Sequence, residues 1–258
     1  MDPRSIAKWL TTAALAGAAH STPSLAQASP VATEPAQCQT VRLSDVGWAD
    51  VTSTTALFAG LLKQLGYRPT ITVWSVPVTY ASMKNRDIDV FLGNWMPAQN
   101  NDRKSYLADG SVEVVRANLE GAKYTLAVPA YTYQAGLHDF SDIARFGERL
   151  NYTIYGIESG NDGNSHVLKF IRQNDFGLGN FKLVESSETG MLAQVERAYN
   201  EHRPIVFLGW DPHPMNMRFD MRYLTGGDAS CGPNYGAASV ARSRRSLRRH
   251  ADAIAVEG

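Results

Sequence analysis

Residues 40–92, TVRLSDVGWADVTSTTALFAGLLKQLGYRPTITVWSVPVTYASMKNRDIDVFL, contain the alternation of elements that decides the fold. β-branched and aromatic residues mark strand segments, and apolar residues at helical spacing mark the segments between them. The pattern predicts three strands and two helices, in the order strand Thr40 to Leu43, helix Asp50 to Leu65, strand Thr70 to Val76, helix Val78 to Asn85 and strand Asp89 to Leu92. Gly66 is a stop signal for the first helix. This order of elements predicts a parallel sheet of the α/β class.

A second set of strand and helix patterns follows after residue 120. Strands are predicted at Tyr124 to Val128, Tyr152 to Ile157 and Pro204 to Leu208, with helices at Val167 to Asn174 and Met191 to Asn200. Ligands of α/β sheets bind where strands end and loops begin. Two such modules in one chain therefore predict two lobes with a ligand cleft between them.

The first 28 residues have the pattern of a secretory signal peptide. Basic Arg4 and Lys8 precede a short apolar run, Trp9 to Ala19, and Ala26-Gln-Ala28 fits a small-x-small cleavage site. The apolar run is too short to cross a bilayer, which needs about 20 apolar residues. We therefore expect cleavage near Ala28 and a mature protein in the periplasm.

Charge is unevenly distributed along the chain. The full sequence balances 25 Lys and Arg against 25 Asp and Glu, whereas residues 29–240 hold 18 basic and 22 acidic side chains. A mildly acidic body without a basic stripe argues against a nucleic-acid partner. Five Arg lie within residues 242–249. We interpret them as part of a divergent terminus, with a basic segment that binds acidic surfaces as the alternative.

The two cysteines of the chain are Cys38 and Cys231. In an oxidising compartment they can form one disulfide, and two free thiols are the alternative. The sequence does not distinguish between these two states.

Three of the five tryptophans lie near the ends of predicted strands. Trp48 follows the first strand, Trp95 follows the third and Trp210 ends the last, while Tyr124 opens the second module. Loops at strand ends are where binding sites are built, so these rings are candidates for one site. Aromatic side chains that pack over separate cores, in a protein with a structural or adhesive role, are the alternative. Trp74 lies within a predicted strand, and we expect it in the core.

This aromatic set predicts a site for an organic cation. The face of an aromatic ring attracts a cation with about 0.5–1 kcal/mol at an exposed site and about 2 kcal/mol when the pair is desolvated. A trimethylammonium group has no N–H to donate, so a box of aromatic rings is a natural way to hold it. Asp50 adds a negative charge near the end of the first strand.

The sequence contains no established catalytic motif. His202, His213, Asp211 and Glu158 are available as acid–base groups, but Gly-x-Ser-x-Gly, His-Glu-x-x-His and phosphate-binding glycine-rich sequences are absent. The turn Glu158-Ser-Gly-Asn-Asp-Gly-Asn164 can aim amide groups at a ligand, and it lacks the spaced carboxylates of an EF-hand. We therefore predict a protein that is not an enzyme and that needs no cofactor or metal.

Five segments together resemble the choline-binding proteins of ATP-binding-cassette (ABC) transporters, within the wider glycine betaine, proline betaine and choline group. In chain order the segments are Gly47-Trp-Ala-Asp50, Gly93-Asn-Trp-Met-Pro97, Gly121-Ala-Lys-Tyr-Thr125, Gly160-Asn-Asp-Gly-Asn164 and Gly209-Trp-Asp-Pro-His-Pro-Met-Asn216. The resemblance implies a type II periplasmic binding protein, whose two lobes close on the ligand and dock on the permease of an ABC importer. It also implies a monomer that contacts the membrane only through the transporter.

The resemblance also implies which residues bind the ligand. The ammonium group lies among rings that match Trp48, Trp95, Tyr124 and Trp210, with the acidic residue at Asp50 and the amide for the ligand hydroxyl at Asn161. A carboxylate in the pocket attracts choline and repels the carboxylate of glycine betaine. Choline is therefore the first expected ligand, ahead of acetylcholine, and glycine betaine or proline betaine is the alternative.

The same resemblance predicts the domain organisation. It assigns residues 1–28 to the signal peptide, 38–120 plus 211–240 to lobe I, 121–210 to lobe II and 241–258 to a divergent Arg-rich tail. The resemblance stops near Val240, before the helices with which family members return to the first lobe. We therefore expect exposed apolar surface on that lobe, and a truncated, non-functional homologue is a further alternative.

Overall fold

The structure, a computed structural model, describes residues 38–227 and 237–243. The expected signal peptide, Cys231 and residues 244–258 of the expected tail lie outside the described residues. The signal peptide, the disulfide and the divergence of the tail therefore stay predictions. Cys38, at the start of the described part, is buried.

The first sheet begins with the segment of residues 40–92. Its five strands are β1 (Thr40–Asp45), β2 (Arg68–Val73), β3 (Val90–Met96), β4 (Val112–Leu119) and β10 (Ala237–Ser243). They lie in the order β2-β1-β3-β10-β4, with β1 parallel to β2 and β3, and with β10 antiparallel to β3 and β4. The accompanying helices are α1 (Ala49–Gln64), α2 (Val76–Asn85) and α3 (Asn100–Ala108).

The second sheet also has five strands. These are β5 (Lys123–Pro129), β6 (Thr153–Tyr155), β7 (Lys182–Val184), β8 (Val206–Asp211) and β9 (Met221–Tyr223). Their order is β7-β6-β8-β5-β9, with β6 parallel to β7 and β8, and with β5 antiparallel to β8 and β9. The helices are α4 (Ala130–Gln134), α5 (Asp162–Gln173), α6 (Glu188–Asn200) and α7 (Met215–Arg218), with 3-10 turns at Phe140–Phe146 and Asp175–Gly177.

The predicted α/β class is confirmed, but both sheets are mixed rather than parallel. In the first sheet, β10 enters between β3 and β4 after the chain has built the whole second sheet. The sequence pattern missed α3 because that helix buries none of its residues and so has no apolar face. It missed β4 because most residues of that strand are exposed or half-buried.

Helix α1 buries a narrower face than its apolar pattern indicated. Its buried residues recur at spacings of three and four, and they are Val51, Thr55, Ala59 and Leu62. Leu57, Leu61 and Leu65 are instead exposed. These leucines leave apolar surface uncovered in the part of the chain that we expected to form the first lobe.

Strand pairing bears on one expected lobe boundary. Residues 211–240 are predicted to belong to the first lobe. Among the described residues of this range, β9 pairs with β5 of the second sheet, and β10 pairs with β3 and β4 of the first. The boundaries of the lobes stay predictions. The grouping of the sheets into lobes that move stays a prediction.

The main hydrophobic core draws on residues of both sheets. Phe91 and Tyr80 represent the first sheet and its helices, and Ile154 and Phe207 represent the second. Trp48, Trp95 and Trp210 belong to the same buried cluster, so their rings are held by packed elements. Among the described residues, every helix is too short or too polar to cross a membrane.

Candidate ligand-binding site

Four aromatic rings and one isoleucine line a single small cavity. Trp48 is the N-cap of α1, Trp95 comes from β3, Tyr124 from β5 and Trp210 from β8, and Ile157 follows β6. Two of the rings therefore come from the first sheet and its helices, and the other two come from strands of the second sheet.

The position of two tryptophans differs from the sequence expectation. Trp95 and Trp210 lie within β3 and β8 and not just beyond them, because both strands run further than their apolar patterns. Their side chains still reach the cavity, since they lie in the last residues of each strand. A ring that lies inside a strand is held more rigidly than one in a loop, which favours a preformed site.

The rings form a continuous series around the cavity. The centroids of Trp48 and Trp210 are 6.5 Å apart, those of Trp210 and Tyr124 are 6.1 Å apart, and those of Tyr124 and Trp95 are 6.0 Å apart. None of the three tryptophans is more than 4% exposed. The alternative that these tryptophans pack over separate cores is therefore wrong, because they share one cavity wall.

Carboxylates fix the indole N–H groups of two of these rings. Trp48 Nε1 donates to Glu158 Oε1 at 2.9 Å, and Trp210 Nε1 donates to Asp50 Oδ1 at 3.0 Å. The surface that lines the cavity is apolar. A ligand in this cavity therefore gains contact with ring faces and no hydrogen bond from its wall, which favours a cation without N–H groups over a neutral polar solute.

Asp50 lies beside the rings and outside the ring-lined cavity. It is in the first turn of α1, and with Trp95 and Asn118 it lines an adjoining cavity of about 390 Å³. Burial raises the pKa of the Asp50 carboxyl, and the hydrogen bond from Trp210 counteracts this in part. Because an ionised Asp50 is poorly solvated, a cation held against Trp210 would offset the cost of its charge.

Asn161 is the N-cap of α5 and organises the site around Tyr124. Its Oδ1 accepts hydrogen bonds from the Tyr124 hydroxyl at 2.8 Å and from the backbone N–H groups of Gly163 and Asn164 at 2.8 and 3.2 Å. Its Nδ2 makes longer contacts, with Asp162 at 3.2 Å and Glu158 at 3.5 Å. The amide oxygen is therefore fully occupied, and any hydrogen bond to a ligand hydroxyl has to come from Nδ2.

The structure adds residues that sequence reasoning did not place at the site. Glu158 binds Trp48 as described, whereas the sequence pattern presents it only as a candidate acid–base group. Glu188 and His213 form a buried pair, with Glu188 Oε1 and His213 Nε2 separated by 2.9 Å. The ring of His213 packs edge-on against Trp210, with the centroids 4.7 Å apart. His213 lies inside one of the five family segments, whereas nothing in the sequence around Glu188 pointed to the site.

The remaining candidate acid–base groups do not converge with these residues. His202 stacks on Tyr131, with the ring centroids 4.5 Å apart, and Tyr131 is outside the ring-lined cavity. Asp211 lies opposite Lys123 where strand β8 pairs with strand β5. Within residues 38–227 and 237–243, no three His, Cys, Asp or Glu side chains are grouped so as to hold a metal ion.

Asp162, next to Asn161, is expected to make the stability of the protein depend on pH. It is buried, its Oδ2 has no hydrogen-bond partner among the described residues, and burial raises the pKa of its carboxyl to about 7. An unfolded aspartate has a pKa of about 3.9. Between these values the folded chain holds a proton that the unfolded chain releases, so this group makes the protein less stable as the pH rises through that range.

We therefore expect Asp162→Asn to raise the free energy of unfolding at pH 8 by on the order of 2 kcal/mol, with a smaller gain near pH 4. Urea unfolding at the two pH values measures this difference. Asp220→Asn, in an exposed pair with Arg222, is the matched control and should change little at either pH. An equal effect of Asp162→Asn at pH 4 and pH 8 would contradict the assignment.

Comparison with known proteins identifies the family. Residues 39–256 match the OpuAC family, described as the substrate-binding domain of ABC-type glycine betaine transport systems. The chain belongs to this family of transport substrate-binding proteins, and the predicted relationship is confirmed. The match runs past Val240 and so includes most of the tail that the sequence resemblance had left outside the family.

Solved structures of similar chains confirm the type II periplasmic binding protein fold. An ABC-transporter choline-binding protein in complex with choline is 51% identical, with a TM-score of 0.82 over 85% of this chain and 77% of that chain. A choline-binding protein in an unliganded, semi-closed conformation is 54% identical, with a TM-score of 0.75 over 83% and 74% of the two chains. Lactococcal OpuAC in its closed conformation with glycine betaine is 25% identical, with a TM-score of 0.72 over 83% and 81%.

Two further protein sequences are similar to this chain over shorter stretches. Uncharacterized protein ORF1 of Chromohalobacter salexigens is 50% identical over 135 residues, which are 52% of this chain and 87% of that protein. The glycine betaine/carnitine transport binding protein GbuC of Listeria monocytogenes is 36% identical over 78 residues, which are 30% of this chain and 26% of that protein.

Proposed function

We propose that this protein binds choline and delivers it to the permease of an ABC importer. The observation that carries the proposal is the apolar cavity formed by four aromatic rings beside Asp50. The proposed ligand-binding residues are the six that the family resemblance implies, namely Trp48, Asp50, Trp95, Tyr124, Asn161 and Trp210. In this proposal the trimethylammonium group occupies the ring-lined cavity, and the hydroxyl end of choline points towards Asn161 Nδ2.

The charge around the cavity supports choline over glycine betaine. Asp50 and Glu158 each accept a hydrogen bond from a tryptophan of the cavity. Burial raises the pKa of both Asp50 and Glu158, because negative charge in this site is poorly solvated. A ligand carboxylate would add to that cost, whereas a net cation reduces it.

Glycine betaine binding is the second candidate function. It is favoured by the family description and by the likeness to lactococcal OpuAC complexed with glycine betaine. Its trimethylammonium group would fill the same ring-lined cavity, so the rings alone do not separate the two ligands. The acidic side chains around the rings are the feature that separates them.

The proposal also includes export to the periplasm and action as a monomer. Export rests on the sequence pattern of residues 1–28 and fits the likeness to ABC-transporter binding proteins. The resemblance implies a monomer, because a protein of this kind presents one ligand, enclosed between its two lobes, to one transporter.

Equilibrium dialysis of the purified mature chain against isotope-labelled choline tests the proposed function. We expect saturable binding of one choline per chain at micromolar concentration or below, and recovery of unchanged choline after release. Absence of saturable binding would contradict the proposal. Conversion of choline into another compound would instead show that the protein is an enzyme.

A further inference from the structure

Three consecutive residues at the N-terminus of α1 bind residues that belong with the second sheet. The side chain of Trp48 donates to Glu158, and the side chain of Asp50 accepts from Trp210. Between them, the backbone N–H of Ala49 donates to Glu188 Oε2 at 2.9 Å. Two of these bonds use rings of the cavity, while the bond from Ala49 uses only the helix backbone.

Glu188 uses its other oxygen to reach His213. The backbone N–H of Met215 donates to His213 Nδ1 at 2.9 Å, so Nδ1 is an acceptor and the ring carries its proton on Nε2. His213 Nε2–H therefore donates to Glu188 Oε1 at 2.9 Å. The side chain of His213 is 2% exposed and that of Glu188 is 12% exposed, which makes both hydrogen bonds hard for water to replace.

His213 connects this pair to the ring-lined cavity. Its ring packs edge-on against Trp210, and the Asn216 side chain, which donates to the backbone oxygens of Trp210 and His213, holds the same turn together. One carboxylate thus joins the N-terminus of α1 to the residues that support a cavity ring. The free N–H groups at a helix N-terminus favour a carboxylate at this place.

We propose that Glu188 is a positioning residue that latches the first sheet's helix α1 onto the His213–Trp210 unit and so keeps the aromatic cavity closed around its ligand. This inference rests on the proposed function, because it gives Glu188 a role in retaining the cation. Glu188 is not among the residues that line the ring-lined cavity. Its effect is therefore expected on the rate at which the ligand leaves and not on the rate at which it enters.

Stopped-flow tryptophan fluorescence with choline tests the latch. We expect Glu188→Ala to raise the dissociation rate of choline roughly 10- to 100-fold, because a charge-assisted pair of buried hydrogen bonds is lost. The association rate should stay within about threefold of the wild type, since no ligand contact changes. Glu188→Gln retains an acceptor for the Ala49 N–H and should raise the dissociation rate less than Glu188→Ala does.

Glu196→Ala is the matched control on the same helix. Glu196 forms an exposed ion pair with Arg218, and its loss should leave both choline rates unchanged. Thermal unfolding of the ligand-free variants provides the second readout: a latch predicts that the stabilisation by added choline shrinks in Glu188→Ala and persists in Glu196→Ala. An unchanged dissociation rate in Glu188→Ala, with normal choline binding by the wild type, would overturn the latch alone. A wild-type chain that does not bind choline would overturn the proposed function as well.

Discussion

Trp210→Ala is expected to weaken choline binding by about two orders of magnitude. The variant removes one ring face from the cavity, and a desolvated contact of this type contributes about 2 kcal/mol. It also removes the N–H that binds Asp50 Oδ1, and a hydrogen bond to a charged group contributes about 1.5 kcal/mol or more. The sum of about 3.5 kcal/mol corresponds to a factor of about 300 in the dissociation constant. Calorimetric titration with choline measures it.

Two variants separate this effect from a general loss of stability. Trp210→Phe keeps an aromatic face and loses only the N–H, so its choline affinity should fall between those of the wild type and Trp210→Ala. Trp74 packs against the main core and does not line the cavity. Trp74→Ala should therefore lower the melting temperature while the folded protein keeps its choline affinity. Equal losses of affinity and stability in Trp74→Ala and Trp210→Ala would contradict a specific role for Trp210.

Asp50→Asn is expected to reduce the preference for choline over glycine betaine by about 100-fold. At an effective dielectric constant of about 20, a unit charge some 5 Å from the ligand contributes about 3 kcal/mol. The substitution weakens the attraction for choline and relieves the repulsion of the betaine carboxylate. Because Asn is nearly isosteric and its amide oxygen still accepts from Trp210 Nε1, the ring should stay in place. Parallel titrations with the two ligands measure the change in preference.

The pH dependence of choline binding checks the same assignment. Burial raises the pKa of Asp50, so the wild type should lose choline affinity as the pH falls through that raised pKa and the carboxylate becomes neutral. The contribution of Asp50 to this pH dependence is absent in Asp50→Asn, whose profile should be flatter. Asp220→Asn, which alters an exposed carboxylate, should retain the wild-type profile. Identical profiles for the wild type and Asp50→Asn would show that Asp50 does not act on the ligand.

The aromatic residues of the site could be predicted from the sequence because their positions follow from local patterns. Trp48, Trp95 and Trp210 each lie next to a strand segment that β-branched and apolar residues define. Parallel strands of one sheet present their ends on the same edge, so Trp48 and Trp95 could be expected to lie together. Their meeting with Trp210 depends on how the two sheets are arranged. Position relative to a strand end is enough for this argument, and an error of two residues in the strand boundary does not alter it.

The roles of the two glutamates at the site, Glu158 and Glu188, could not be predicted in the same way. Glu188 reaches the N-terminus of α1 across 139 positions of sequence, and its neighbours in the chain form an ordinary helix start. Such a contact depends on how the two sheets are arranged, which no local pattern encodes. The antiparallel insertion of β10 has the same origin, because its partners β3 and β4 lie more than 100 residues earlier in the chain.

The apolar pattern of α1 was also insufficient to predict which of its residues are buried. The sequence offers apolar residues on more than one side of this helix, and periodicity does not tell which of them the neighbouring strands cover. The structure buries Val51 and Leu62 and exposes Leu57, Leu61 and Leu65. The choice is made by packing against β1, β2 and β3, so it becomes visible only with the tertiary structure.

The most direct test of the central claim is calorimetric titration of the purified mature chain with choline and, separately, with glycine betaine, after a cooperative thermal melt has established that the chain is folded. We expect saturable binding of choline and an affinity for glycine betaine that is at least about tenfold weaker. A folded chain that binds glycine betaine as tightly as choline, or that binds neither, would contradict it.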